Sequence, residues 1–319
     1  MDELTAVRRL REHIPAMTPE AEEAARTRLL AAVRDKPGLA AAWDKPRPAR
    51  PRLRWRLAVA AALAVLVGTG IVVTRGRPDI APVAGVRELG ERAARAAERG
   101  PSPIAHPDQW YYVKELQASP ARGGYGYARD LHRREIFEQW ISVDGKRVAW
   151  EQGSGGLLIQ GTHPGIGAAE LAREPVTPET VLDRIRQALA DVPEQAEFSE
   201  DQRLFQAIYQ LMGEQMLPPE VRSALFRALP TIPGVTVTHD VPDADGRRGI
   251  AFSRADGWAR YDLILDPSDY SFLGTYGVAV SDRTFHPVNV GPVHVKAGTP
   301  LTWSARLDIQ IVDKAGERP

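Results

Sequence analysis

From Leu57 to Thr74 the chain reads LAVAAALAVLVGTGIVVT, eighteen residues without a charge, interrupted only by Gly68 and Gly70. As a helix rising about 1.5 Å per residue, the run is about 27 Å long, enough to cross the hydrocarbon core of a bilayer. Soluble core helices seldom run this far with nothing more polar than two threonines, so residues 57–74 are predicted to be a transmembrane helix. That prediction divides everything else into two aqueous parts, 1–56 and 75–319.

The flanks set the orientation. Lys45, Arg47, Arg50, Arg52, Arg54 and Arg56 stand in the fifteen residues before the run, against Arg75, Arg77 and Arg87 in the fifteen after it. An excess of cations on the N-terminal side predicts a cytoplasmic N-terminus and an extracytoplasmic C-terminal domain. Trp55, between Arg54 and Arg56, falls at the level of the inner headgroups, and Arg75 marks the outer interface; these four are the expected membrane-interface residues. A cleaved signal peptide would need a 56-residue leader, and the Arg8-Arg9 pair is too far from the apolar run to act as a twin-arginine export signal. The expectation is an uncleaved signal anchor, single-pass in the plasma membrane.

Composition sharpens this division. The whole chain of 319 residues carries 41 Lys+Arg and 41 Asp+Glu, yet residues 1–56 hold thirteen basic and eight acidic side chains, net +5, which leaves net -5 for residues 75–319. The basic part is the one that faces the anionic inner leaflet of the lipid bilayer. With 26% charged residues the chain is not a polytopic transporter, and with no cysteine it has no disulfides, thiol nucleophile or zinc knuckle. The balanced total gives no reason to expect a nucleic-acid partner.

In the cytoplasmic arm, residues 1–44, Leu4, Val7, Leu10 and Ile14 line one face of a helix that Pro15 closes. Thr18-Pro19, with Glu20, Glu22 and Glu23 behind it, opens a second helix whose stripe includes Leu29 and Val33. Two short stripes bury too little to be stable alone. They must pack on each other, on the membrane surface or on a protein, and Leu4, Val7, Leu10, Ile14, Leu29 and Val33 are the candidate partner-binding residues. Residues 45–56, basic and rich in proline, read as a semi-extended tether lying on anionic lipid.

The 245 residues after the span are enough for a substantial core. Leu89, Ala93 and Ala97 predict a helix ending at Gly100-Pro101, and Gln109–Gln117 alternates like a strand. Arg134–Val143 and Lys146–Glu151 flank Asp144-Gly145, the mark of a two-residue hairpin. Helices are predicted after Thr177-Pro178-Glu179, over Gln202–Met216 and from Pro219. Then come four strands, Gly234–Val241, Gly249–Arg254, Trp258–Leu265 and Phe272–Val280, and a last one at Leu301–Val312. Strands, then helices, then strands with short turns predict an α+β fold, an antiparallel sheet with helices on one face, able to curl into a half-barrel.

No set of residues converges on a reaction. Gly153-Ser154-Gly155-Gly156 lacks the nucleophile-elbow pattern, and the Gly161–Gly167 loop lacks the Lys-Ser/Thr of a phosphate loop. The histidines show no ligand spacing, Asp243 and Asp245 read as a hairpin turn, and Glu135 and Glu138 fall on opposite faces of one strand. No enzyme activity, cofactor or metal is expected.

Several passages resemble a family together: the opening DELTAVRRLREHIP, the span near residue 60, LPPEVRSALFRALPTIPGVTV (Leu217 to Val237), DADGRRGIAF, LDPSDYSFLG (Leu265 to Gly274) and the ending IVDKAGERP. They are similar to a family of actinobacterial single-pass membrane proteins, uncharacterised in activity, often encoded next to extracytoplasmic-function sigma factors. The resemblance implies a transmembrane signalling or regulatory protein, laid out like a membrane anti-sigma factor, with a sigma factor or other regulator as cytoplasmic partner and an envelope ligand sensed outside. The alternative is a lipid- or lipoprotein-binding carrier or receptor domain on a membrane anchor. The short arm and the absence of a His/Cys zinc set depart from the better-known anti-sigma pattern.

Overall fold

The structure, a computed structural model, describes residues 85–319 apart from 123, 125, 154, 163, 191–197 and 288–290. The arm, the tether and the predicted span lie outside the described residues, and so do all ten predicted interface and partner-binding residues. Among the described residues no helix is long and apolar enough to cross a membrane.

Helix α1 (Val86–Glu98) buries Leu89, Ala93 and Ala97, the residues its four-residue spacing singles out. The aromatic alternation that follows becomes β1 (Trp110–Pro120). Tyr111 and Val113 pack on one face with Ile141 and Val148, while Trp110 and Tyr112 pack on the other with Trp140 and Ala149. Strands β2 (Arg129–Ser142), β3 (Arg147–Glu151) and β4 (Leu157–Gly161) continue the antiparallel run.

The turn at Asp144-Gly145 departs from expectation. Trp140 pairs with Ala149 and Ile141 with Val148, so four residues, not two, connect β2 to β3. Val143 leaves the hairpin because its N–H bonds the Gln109 carbonyl at 3.0 Å. The Ser142 hydroxyl closes the wider loop by accepting the Arg147 N–H at 2.9 Å.

A short helix α2 (Ala168–Leu171) precedes three longer ones, α3 (Pro178–Ala190), α4 (Glu200–Glu214) and α5 (Pro219–Ala228). Thr177 caps α3 by accepting the Thr180 N–H at 3.2 Å, and Ser199 caps α4 in the same way from Gln202. The chain then lays down a meander of β5 (Val235–Pro242), β6 (Arg248–Asp256), β7 (Ala259–Leu265) and β8 (Phe272–Ala279). The small hairpin β9 (Arg283–Phe285) and β10 (Val293–Val295) leads to the long β11 (Pro300–Val312). At the β5–β6 turn the fully buried Asp243 accepts the N–H groups of Asp245 and Arg247 and pairs with the Arg247 guanidinium, so this is a hairpin turn, as its sequence predicts.

Nine of the eleven described strands form one antiparallel sheet, ordered β4-β3-β2-β1-β11-β8-β7-β6-β5, and β9 and β10 pair separately. The last strand inserts between the first and the meander, joining the two halves. Alternation sorts the faces: Ile250, Phe252, Leu263 and Leu265 meet the helical layer, while Ala251 and Ile264 pack on the opposite side. The architecture is α+β, with a large antiparallel sheet and helices packed against it.

Candidate functional site

A cavity of about 560 Å³ opens where the C-terminal turn of α1, the end of α4, the start of α5, the β7–β8 turn and β11 meet. Helix α4 stops because Gln215 is extended (φ -127°, ψ 148°), and the chain passes through Met216 and Leu217 before Pro219 starts α5. Gln215 thereby turns inward. Its Nε2 donates to the Ile166 carbonyl at 3.0 Å, and its Oε1 is buried with no partner among the described residues. One turn into α5, Arg222 reaches back over the end of α1 and donates to the carbonyls of Ala97 (3.4 Å) and Pro101 (3.1 Å), leaving its Nε without a partner. The guanidinium fits there because residue 100 is glycine: a Cβ would lie 2.4 Å from its Nη2.

Arg306 provides the polar floor. It donates to the carbonyls of Met212 (3.0 Å) and Phe272 (3.2 Å) and lies 4.8 Å over the Phe272 ring. Ordinary alternation would not put it there. From Leu301 to Ile311 the apolar residues Leu301, Trp303, Ala305, Leu307, Ile309 and Ile311 are all odd-numbered, which predicts Arg306 on the solvent face. The register shows why it is not: Lys114 pairs with Asp308 but Glu115 pairs with Arg306, so Leu307 is an extra, bulged residue. The bulge inverts the alternation, so that Arg306 and Ile309, three apart, both line the cavity while Leu307 is 39% exposed.

The electrostatics follow from burial. Desolvation pulls the Arg306 guanidinium down to about 10, against the opposing pull of Glu115, and it still carries its charge at neutral pH. Desolvation pushes the buried Glu115 carboxyl up, with Gln117 donating to it at 2.6 Å and Arg306 working the other way. Glu214 is pushed up to about 8, first by burial and then by the Glu115 charge, with hydrogen bonds from Gln210 and Gln139 opposing. Near pH 7 Glu214 is therefore mostly protonated. Three guanidiniums, those of Arg99, Arg222 and Arg306, line the cavity against one carboxylate, Asp269. Met212, Met216, Leu217, Phe226 and Ile309 form the apolar wall. The arrangement is suited to recognition: surplus cationic donors combined with apolar surface.

Between the ordinary carboxyl value of 4.5 and about 8, folded Glu214 keeps a proton that the unfolded chain releases, so stability falls as pH rises through this window and levels off above it. Glu214→Gln is expected to flatten that slope and to exceed the wild type at pH 9 by ~1–3 kcal/mol, allowing for the side chain's partial exposure. Thermal melts at pH 5, 7 and 9 check it; equal slopes in the two proteins would refute it.

Sequence reasoning singled out none of the cavity residues for function. The one available signal was a charged residue inside an apolar strand, and it reads as solvent-facing until the bulge is known. Among the described residues no three potential metal ligands cluster. Neither a protein-family model nor a curated protein matches the chain.

Proposed function

We propose that this is a single-pass membrane regulatory protein, N-terminus in the cytoplasm, whose extracytoplasmic domain binds an envelope ligand in the cavity beneath the helical layer. The observation that carries the reading is the position of α1. It is the first described element after the predicted span in chain order, and its last turn, Ala96 to Gly100, forms part of the cavity wall. A ligand filling the cavity presses on the helix nearest the membrane segment in sequence, a direct route from occupancy to the cytoplasmic arm. The bulges in the sheet favour its curling under the helices as a half-barrel.

In cells, the full-length protein is expected to pellet with membranes and to lose its C-terminal domain to protease added to intact spheroplasts. Photocrosslinkers at Leu10 and Leu29 are expected to capture a cytoplasmic protein, a sigma factor or other regulator. A protein that stays soluble without detergent, or crosslinks only to lipid, would overturn the regulatory reading.

The second reading, a lipid or lipoprotein carrier on an anchor, is favoured by the apolar wall of the cavity. The two part at the arm: a carrier works without residues 1–44, and a regulator does not.

A further inference from the structure

We infer that the cavity takes an anionic amphiphile, a single apolar chain ending in a phosphate or carboxylate head that also carries a hydroxyl. The inference rests on the reading of the cavity as the ligand site, and each part comes from an unmet demand in its lining.

The first demand is charge. Arg306 is partly buried, yet both of its hydrogen bonds go to main-chain carbonyls. A guanidinium has five N–H donors, so donors remain for an anion, and a desolvated cation gains most from an anionic partner. Glu115 sits opposite on β1, where Gln117, not Arg306, donates a hydrogen bond to its carboxyl group. Arg222 adds a second guanidinium to the lining, with its Nε unpartnered.

The second demand is for a donor. Gln215 is 6% exposed, and because its Nε2 is committed to the Ile166 carbonyl, the atom left unsatisfied is the acceptor Oε1. A buried acceptor without a partner costs free energy that a ligand hydroxyl recovers. A bare fatty acid meets the first demand only, whereas a hydroxylated head meets both. The third demand is apolar: Met212, Met216, Phe226 and Ile309 offer flexible thioethers and flat surface to a chain. The volume, about 560 Å³, is that of a site for one small molecule.

The test uses the full-length chain in nanodiscs, with empty discs subtracted, and four probes: 1-oleoyl-glycerol 3-phosphate, oleate, monoolein and glycerol 3-phosphate. The phosphate-headed lipid is expected to bind tightest, oleate several-fold weaker, and monoolein and glycerol 3-phosphate at least tenfold weaker. Arg306→Met is expected to cost the phosphate-headed lipid at least tenfold while leaving monoolein unchanged. Arg222→Leu, on a helix and not in the sheet, gives the same selective loss if the first variant fails to fold. Monoolein binding as tightly as the charged lipid would overturn the anionic head, and glycerol 3-phosphate binding as tightly would overturn the chain. Binding of none of the four would overturn the inference. For the broader receptor reading, Met216→Trp, which fills the cavity, is expected to change the capture of the cytoplasmic protein by the Leu10 crosslinker whatever the ligand is, and an unchanged capture sinks that reading alone.

Discussion

Gly274→Ala is expected to abolish cooperative folding of residues 85–319. Gly274 lies in β8, opposite Ile264 of β7, with β11 on its other side. A Cβ added there would fall 2.1 Å from the Ser304 carbonyl oxygen and 2.8 Å from its carbon, a collision with backbone that no rotamer change relieves. The clash sits on the seam where the β5–β8 meander is joined to β1–β4 through β11, and the Thr275 and Ser304 hydroxyls, 3.0 Å apart, stitch the same seam. Relief means separating the strands, so the expected cost is above ~4 kcal/mol, a large part of the roughly 5–15 kcal/mol that holds a domain together. Far-ultraviolet circular dichroism on heating reads the result directly. A sharp transition at the wild-type temperature would show that the β8–β11 junction is looser than the described packing.

Phe252→Ala is expected to destabilise the same domain by ~3–5 kcal/mol, the cost of emptying a large, fully buried aromatic site. Phe252 is 0% exposed, projects from β6 into the helical layer and stacks against Phe226 of α5 with ring centroids 6.3 Å apart. Its loss removes one of the aromatic contacts between the meander and the helices, and the melting temperature is expected to fall by roughly 10 °C or more. Urea titration with an unchanged slope and a lowered midpoint would confirm a simple loss of stability. A change below ~1 kcal/mol would mean that neighbouring side chains collapse into the space.

The two sites differ in how visible they are in the sequence. Phe252 is legible: it sits at an alternating position of a strand bounded by turn formers, and alternation alone assigns it to the core. Gly274 reads only as a weak point in a strand. Its necessity comes from Ser304, thirty residues away in the chain, and no local pattern announces that approach. The same split recurs at the turns. The Asp243 turn is encoded locally by its own side chain, which accepts the N–H groups of Asp245 and Arg247, and the sequence reading of it stands. The Asp144-Gly145 turn reads as two residues and is four, because the Gln109 carbonyl, just before β1, takes the Val143 N–H.

Read by itself, the sequence determined the α+β class, the helix starts at Thr177 and Pro219, and the four-strand meander. These are short-range properties: periodicity, capping and turn chemistry act within a few residues and leave their mark in the order of side chains. Tertiary structure alone decided that β11 inserts between β1 and β8, that Leu307 bulges, and that Arg306 therefore turns into a cavity with Arg222 and Gln215. Those outcomes depend on pairing between segments up to two hundred residues apart, where a one-residue slip sends every side chain to the other face.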